Sequence, residues 1–196
     1  MYFAAFVLLA RIIMAAQLTV AGLPRVQPPV VEGHPFIATF QVRGSFSPGV
    51  PGGHGYVYRD SSGRTRVDLI LAEHEVRFVD DITADTLFII DARAGTYEKD
   101  SYEPVSIGWT FSNVSAVFTE EHHNILGVDC VNVKFSPLPK AARGNPGDAW
   151  ISRSLGIVMK DANPSQDWTW EVTNIEFREP DPGTFVVAPG FQELHQ

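Results

Sequence analysis

Polar and apolar residues alternate with a period of two through most of this chain, and the clearest instance is His54–Leu71. Tyr56, Val57 and Tyr58 lead into Asp60-Ser61-Ser62-Gly63, where Asp favours the start of a type I turn and Gly supplies the positive φ that closes it. On the returning limb Thr65, Val67, Leu69 and Leu71 fall on one face, and Arg64, Arg66 and Asp68 on the other. That alternation predicts a hairpin in a sheet with one wet side.

The same period continues in both directions. Phe36–Phe46 places Phe36, Ala38, Phe40, Val42 and Phe46 on one face and Thr39, Gln41, Arg43 and Ser45 on the other, and Ser47–Gly53 is turn chemistry. Val76–Ile82 and Thr86–Asp91 are predicted strands around a turn at Thr83–Asp85. Leu87–Ile90 is apolar on both faces, as in a strand covered on two sides. Thr96–Asp100 is expected to lead outward. Val105–Phe118 reads as one long strand or a bent pair, Glu120–Asn124 as a polar exposed turn, and Ile125-Leu126-Gly127 as the turn into Val128–Phe135. Ser136–Asp148 lacks periodicity and is expected to be a mobile connection. Ala149–Ser154 and Leu155–Lys160 predict another hairpin or two short strands. In Trp168–Arg178 the apolar phase shifts from Trp168, Trp170 and Val172 to Ile175 and Phe177, which predicts a bulge near Thr173-Asn174. A proline turn and a short edge strand close the chain.

Short turns between successive strands, with almost no amphipathic helix, predict an all-β fold with minor α content: a curved antiparallel meander whose twist curls it into a sandwich, a barrel or a half-open barrel, a choice that period alone does not make. The expected organisation is a signal peptide or anchor at 1–22, a proline-rich linker at 23–35, the β-domain at 36–191 and a tail at 192–196. The leading segment MYFAAFVLLARIIMAAQLTVAG is strongly apolar and ends in small residues, as an export signal does. Arg11 lies inside it, which makes a membrane span costly. A periplasmic or secreted location is therefore expected, with N-terminal anchoring as the alternative and membrane contact only through residues 1–22 if they are uncleaved.

With 196 residues, 44% of them hydrophobic, the chain suffices for one well-packed domain. The formal charge of -8 is spread without long runs, and no clustered basic footprint for nucleic acid is present. Cys130 is the single cysteine, so there is no intramolecular disulfide and no thiol near the export segment to carry a lipid.

Five segments in order, GYVYRDSSGRTRVD, LFIIDARAGTYEKD, EEHHNILGVDCVNVKF, AWISRSLGIVMK and VTNIEFREPDPGTFVVAPGF, resemble a family of uncharacterised exported bacterial proteins. These are distantly similar to the periplasmic lipoprotein-carrier (LolA-like) superfamily. The steps that match the carriers are Ile125-Leu126-Gly127-Val128 and Trp150, Ser152, Leu155 and Gly156, all fold positions. The resemblance implies a half-open barrel around an apolar concave face. In the carriers helices close the open side, whereas here Leu23–Pro35 is too rich in proline, and Ser136–Asp148 in Gly and Pro, to supply them.

Candidate chemistry is sparse. Glu120-Glu121-His122-His123, with Asp129 and Cys130 nearby, contains metal-ligand residue types, but adjacent histidines on an extended chain point to opposite faces. Neither a metal nor a cofactor is expected. Cys130 sits among Val128, Val131 and Val133, a setting for an inert buried thiol. Arg59, Arg64 and Arg66 could grip an anion, and cross-strand pairing with Asp60 and Asp68 competes with that role. No nucleophile elbow, P-loop or zinc-protease motif is present. The aromatic supply of Trp109, Phe111, Trp150, Trp168 and Trp170 is the best candidate for an apolar binding groove. The expected function is non-enzymatic binding of a lipid or lipoprotein-type acyl ligand on the concave face. The alternatives are an envelope protein-interaction or sensory module, and a metal-dependent hydrolase using Glu120–His123.

Overall fold

The computed structural model describes residues 33–47, 50–71, 74–101, 114–137, 148–163 and 168–194. The export segment, most of the linker, residues 105–113 of the long predicted strand and the connection at 138–147 lie outside them. Among the described residues twelve strands form one sheet: β1 (Phe36–Ser47), β2 (Val50–Arg59), β3 (Thr65–Leu71), β4 (His74–Asp81), β5 (Thr86–Asp91), β6 (Thr96–Ser101), β7 (Val114–Ile125), β8 (Val128–Pro137), β9 (Asp148–Ser152), β10 (Ile157–Asn163), β11 (Trp168–Glu176) and β12 (Gln192–Glu193). The sheet order is β12-β6-β5-β4-β3-β2-β1-β11-β10-β9-β8-β7. Two meanders therefore meet at β1 and β11. Among the described residues the helical content is a single 3-10 turn, Pro182–Phe185.

Local chemistry places the turns where the sequence signals them. Gly63 has a φ of 88°, and the Asp60 carboxylate accepts hydrogen bonds from the Ser62 and Arg64 amides at 3.1 and 2.9 Å. Asp81 and Asp91 organise the next two turns in the same way. In β11 Asn174 pairs with Thr39 and Val172 with Phe40, so Thr173 is the extra residue of the bulge that the phase shift predicts.

The sheet is curved, and one apolar cluster runs across seven adjacent strands of it, from Val67 of β3 through Val57, Phe36, Phe40, Val42, Trp170 and Ile157 to Val128, Cys130 and Val133 of β8. A cross-strand row along this concave face runs Phe118, Val133, Ala149, Asp161, Trp170 and Val42. The Phe40 and Trp170 rings stack on it with centroids 3.8 Å apart. Gly55 makes room for that stack, because a Cβ there would lie 2.5 Å from the Phe40 ring.

Arg59 fastens the curvature. The residue is 1% exposed, and its guanidinium lies 5.3 Å from the Phe36 ring centre and donates to the Leu155 carbonyl in the β9–β10 turn and to Thr65 Oγ1 at 3.3 Å. In a flat sheet β2 and β10 would be about 14 Å apart, beyond an arginine's reach. Thr65 pairs with the buried Asp80, so a carboxylate lies in the same row.

The opposite face departs from the sequence expectation. Alternation predicts that Arg64, Arg66 and Asp68 face water, but Asp68 is buried and Arg66 half-buried. The C-terminal segment crosses that face: Arg66 donates to the Thr184 carbonyl at 2.9 Å, Arg64 lies 4.9 Å from the Phe185 ring centre, and Phe185 packs with Val79 and Ile90. This covering explains why Leu87–Ile90 is apolar on both faces. Thr96–Ser101, instead of leading outward, is a strand, paired on its far side with β12. Glu120–Asn124 likewise continues β7 rather than turning; the turn lies at Leu126 and Gly127, with φ 54° and 82°.

Arg59→Met is expected to lower stability by about 3 kcal/mol, because it strands a buried carbonyl and removes a buried charge from its partners. Urea denaturation checks this; a loss under about 1 kcal/mol would show that the guanidinium does not hold the curve.

Candidate functional site

Most of the concave face is already filled by its own side chains. Phe36, Ala38, Phe40, Val57 and Met159 have almost no exposed surface, and Trp170 has 6%. At the β7–β8 edge the face opens into a cavity of about 510 Å³, lined by Phe118, Thr119, Glu120, His122, Asp129, Val131, Arg153 and Ser154. Phe118 continues the Val133–Trp170 row to the edge, and Val131, two places from Val133 on β8, shares its face. Between Phe118 and His122 the register of β7 shifts, so that Thr119–Glu121 bulge opposite Asn132. The Thr119 hydroxyl donates to the Asn132 carbonyl at 3.3 Å, which holds the bulge in place.

The polar wall has definite geometry. Nδ1 of His122 lies 3.0 and 3.1 Å from the two Asp129 oxygens; an ionised carboxylate only accepts, so Nδ1 carries the proton in that pair. The Arg153 guanidinium lies 4.5 Å from the Phe118 ring centre. Ser152 Oγ accepts from the Leu155 amide at 3.3 Å and sits 3.1 Å from Ser154 Oγ.

The adjacent histidines diverge, as an extended chain requires: His122 meets Asp129, whereas His123 packs 5.5 Å from the Trp150 ring centre. Among the described residues no three His, Cys, Asp or Glu side chains gather as a metal would need. Cys130 is buried and donates to the Val128 carbonyl at 3.4 Å, and burial pushes its thiol up to about 11, so at neutral pH it is a thiol rather than a nucleophilic thiolate. Arg64 and Arg66 pair with Asp60 and Asp68 at 2.6 Å each.

The five aromatic candidates are placed differently. Trp109 and Phe111 lie outside the described residues, and Trp168 holds a place in β11 opposite Gly44 and Asn163. Trp170 belongs to the concave core and donates from its indole nitrogen to the Val158 carbonyl at 3.1 Å. Trp150 falls in the row of Asn132, Lys160 and Glu171, so alternation sets it on the face opposite Trp170. The lining residues that sequence reasoning missed are Phe118, Thr119, Val131, Arg153 and Ser154. Arg153 and Ser154 lie inside the AWISRSLG segment, whose polar turn residues were the available signal.

Asp161 interrupts the apolar row. It is 2% exposed, and its Oδ1 has no hydrogen-bond partner. Burial first, opposed by the Ala162 amide and reinforced by Asp148, pushes its carboxyl up to about 7.

No protein-family model and no curated protein matches the chain. Solved structures do. An uncharacterized conserved protein from Thermus thermophilus superposes with a TM-score of 0.56 at 10% identity, over 95% of this chain and 99% of that one. The likeness is one of fold. A LolA superfamily protein from Nitrosomonas europaea is also among the similar structures, with a TM-score of 0.37 at 8% identity over 90% of this chain and 97% of that one. So is the MucA/MucB complex of Pseudomonas aeruginosa, with 0.45 at 14% over 92% of this chain and 59% of the matched chain.

Because folded Asp161 keeps its proton to about pH 7 while the unfolded chain loses it near 3.8, this group's contribution to stability is fully present below pH 4 and falls as pH rises towards 7. The loss is on the order of 4 kcal/mol. Asp161→Asn is expected to remove that fall, so its advantage over the parent protein should grow between pH 4 and 7 and then level off. Parallel stability curves for the two proteins, measured by urea unfolding at each pH, would contradict the assignment.

Proposed function

We propose that this protein is an exported, non-enzymatic domain that binds an apolar or acyl ligand on the concave face of its sheet, entering at the β7–β8 edge. The observation that carries this reading is the cavity of about 510 Å³ there, within the size range of small-ligand sites and walled by both apolar and polar side chains. Phe118 and Val131 supply the apolar floor. Elsewhere the strap from Pro182 to Leu194 occupies the other face of β2–β6, so apolar surface and free space coincide at this rim. The export-type start of the chain supports a periplasmic or secreted location, and among the described residues no helix is long and apolar enough to cross a membrane.

Delipidated protein should take up an environment-sensitive apolar dye, and dodecanol should displace it. Ser154→Trp, at an exposed turn position on the cavity wall, is expected to weaken uptake at least about tenfold by filling the space, with little change in the melting temperature. Uptake that is absent in the parent protein, or unaffected by Ser154→Trp, would overturn the reading.

One observation favours the envelope-partner alternative. β7 ends the sheet order, so among the described residues one side of its backbone has no neighbouring strand, and Val117 on it is 58% exposed. An extended segment of a partner could add there. If so, Val117→Pro should abolish capture of an envelope partner while leaving dye uptake intact; unchanged capture would exclude the edge.

A further inference from the structure

We infer that the rim cavity receives the singly charged anionic end of an acyl ligand, with Arg153 as its clamp, an inference that rests on the acyl-binding reading above. Arg59, Arg64, Arg66, Arg77 and Arg178 each donate to a carbonyl or a carboxylate. Arg153 differs: its guanidinium makes a ring contact alone, 4.5 Å from the Phe118 centre, with no hydrogen-bond or ion-pair partner among the described residues. The ring contact leaves the fork of donors unspent, and such a fork grips a two-oxygen anion.

The neighbouring groups sharpen the ligand's chemistry. Ser152 Oγ already accepts from the Leu155 amide, so its own proton can go to Ser154 Oγ, which frees the Ser154 hydroxyl to donate into the cavity beside Arg153. Asp129 is engaged by His122. Glu120 lines the same cavity with no partner among the described residues, and its carboxylate repels each negative charge on the ligand, so that one charge is offset by Arg153 and a second is not. A monoanion such as a fatty carboxylate or a phosphodiester therefore fits better than a phosphate monoester. Phe118 and Val131 lie on the same wall and take the first carbons of the chain.

Isothermal titration at pH 8, below micellar concentrations, tests this with four probes of equal chain length: dodecanol, dodecanoate, dodecyl phosphate and lauroyl lysophosphatidylglycerol. Dodecanoate or the lysophospholipid is expected to bind at least about tenfold more tightly than dodecanol, the worth of one charge-assisted hydrogen-bonded pair. Whichever of the two is tighter identifies the source as a free fatty acid or a lipid headgroup. Arg153→Met, which keeps an apolar stem over Phe118, should reduce the preference over dodecanol to about parity, and Arg153→Lys should retain part of it. Dodecyl phosphate should bind more weakly than dodecanoate, and Glu120→Gln should narrow that gap. If dodecanol binds but neither anion is preferred, or if Arg153→Met leaves the preference intact, the clamp is refuted while the acyl-binding reading stands. If no probe binds, both fall.

Discussion

The structure depends on burying one continuous apolar face of a single sheet. A flat sheet would leave that face in water, so the sheet curls until Arg59 of β2 reaches the Leu155 carbonyl in the β9–β10 turn. Arg59 fixes where the curl stops. Its charge is buried against Phe36 and spent on the Leu155 carbonyl, tying β2 to the β9–β10 turn across two intervening strands. The curvature that buries the core also decides where the concave face remains open.

Both remaining surfaces follow from that arrangement. On the outer side of β2–β6 the chain's own C-terminal segment supplies cover, anchored by Arg66 on the Thr184 carbonyl and by the amides of Gln192 and Leu194 on the carbonyls of Gly95 and Tyr97. On the inner side, the stacked pair of Phe40 and Trp170 fills the deep part of the hollow. Space is left at the β7–β8 edge, where the bulge at Thr119–Glu121 and the β9–β10 turn form a wall of mixed polarity. Such a wall sets apolar and polar side chains next to one another.

The fold was legible in the sequence because strand alternation and turn chemistry are local. Asp60–Gly63 and the phase shift at Thr173-Asn174 each announced a feature that the register of β1, β2, β3 and β11 displays. What was not legible depends on contacts far apart in the chain. Period alone could not show that Arg66 and Asp68 lie beneath residues 182–194, or that Arg59 points into the core. It also read Glu120–Asn124 as a turn, because an exposed edge strand carries no apolar half. The site was less legible still. Aromatic content drew attention to Trp150 and Trp170, which alternation places on opposite faces, whereas the cavity is lined by Phe118, Thr119, Val131, Arg153 and Ser154 together with Glu120, His122 and Asp129, which the sequence offered only as metal-ligand types.

The central claim, that an acyl chain enters along the concave face at the β7–β8 edge, is tested most directly by intermolecular nuclear Overhauser effects from a uniformly labelled acyl chain to assigned protein protons. The account predicts cross-peaks to the Val131 methyls and the Phe118 ring, and none to Val79 or Phe185 beneath the C-terminal strap. A bound chain whose cross-peaks fall on Val79 and Phe185 instead would contradict it.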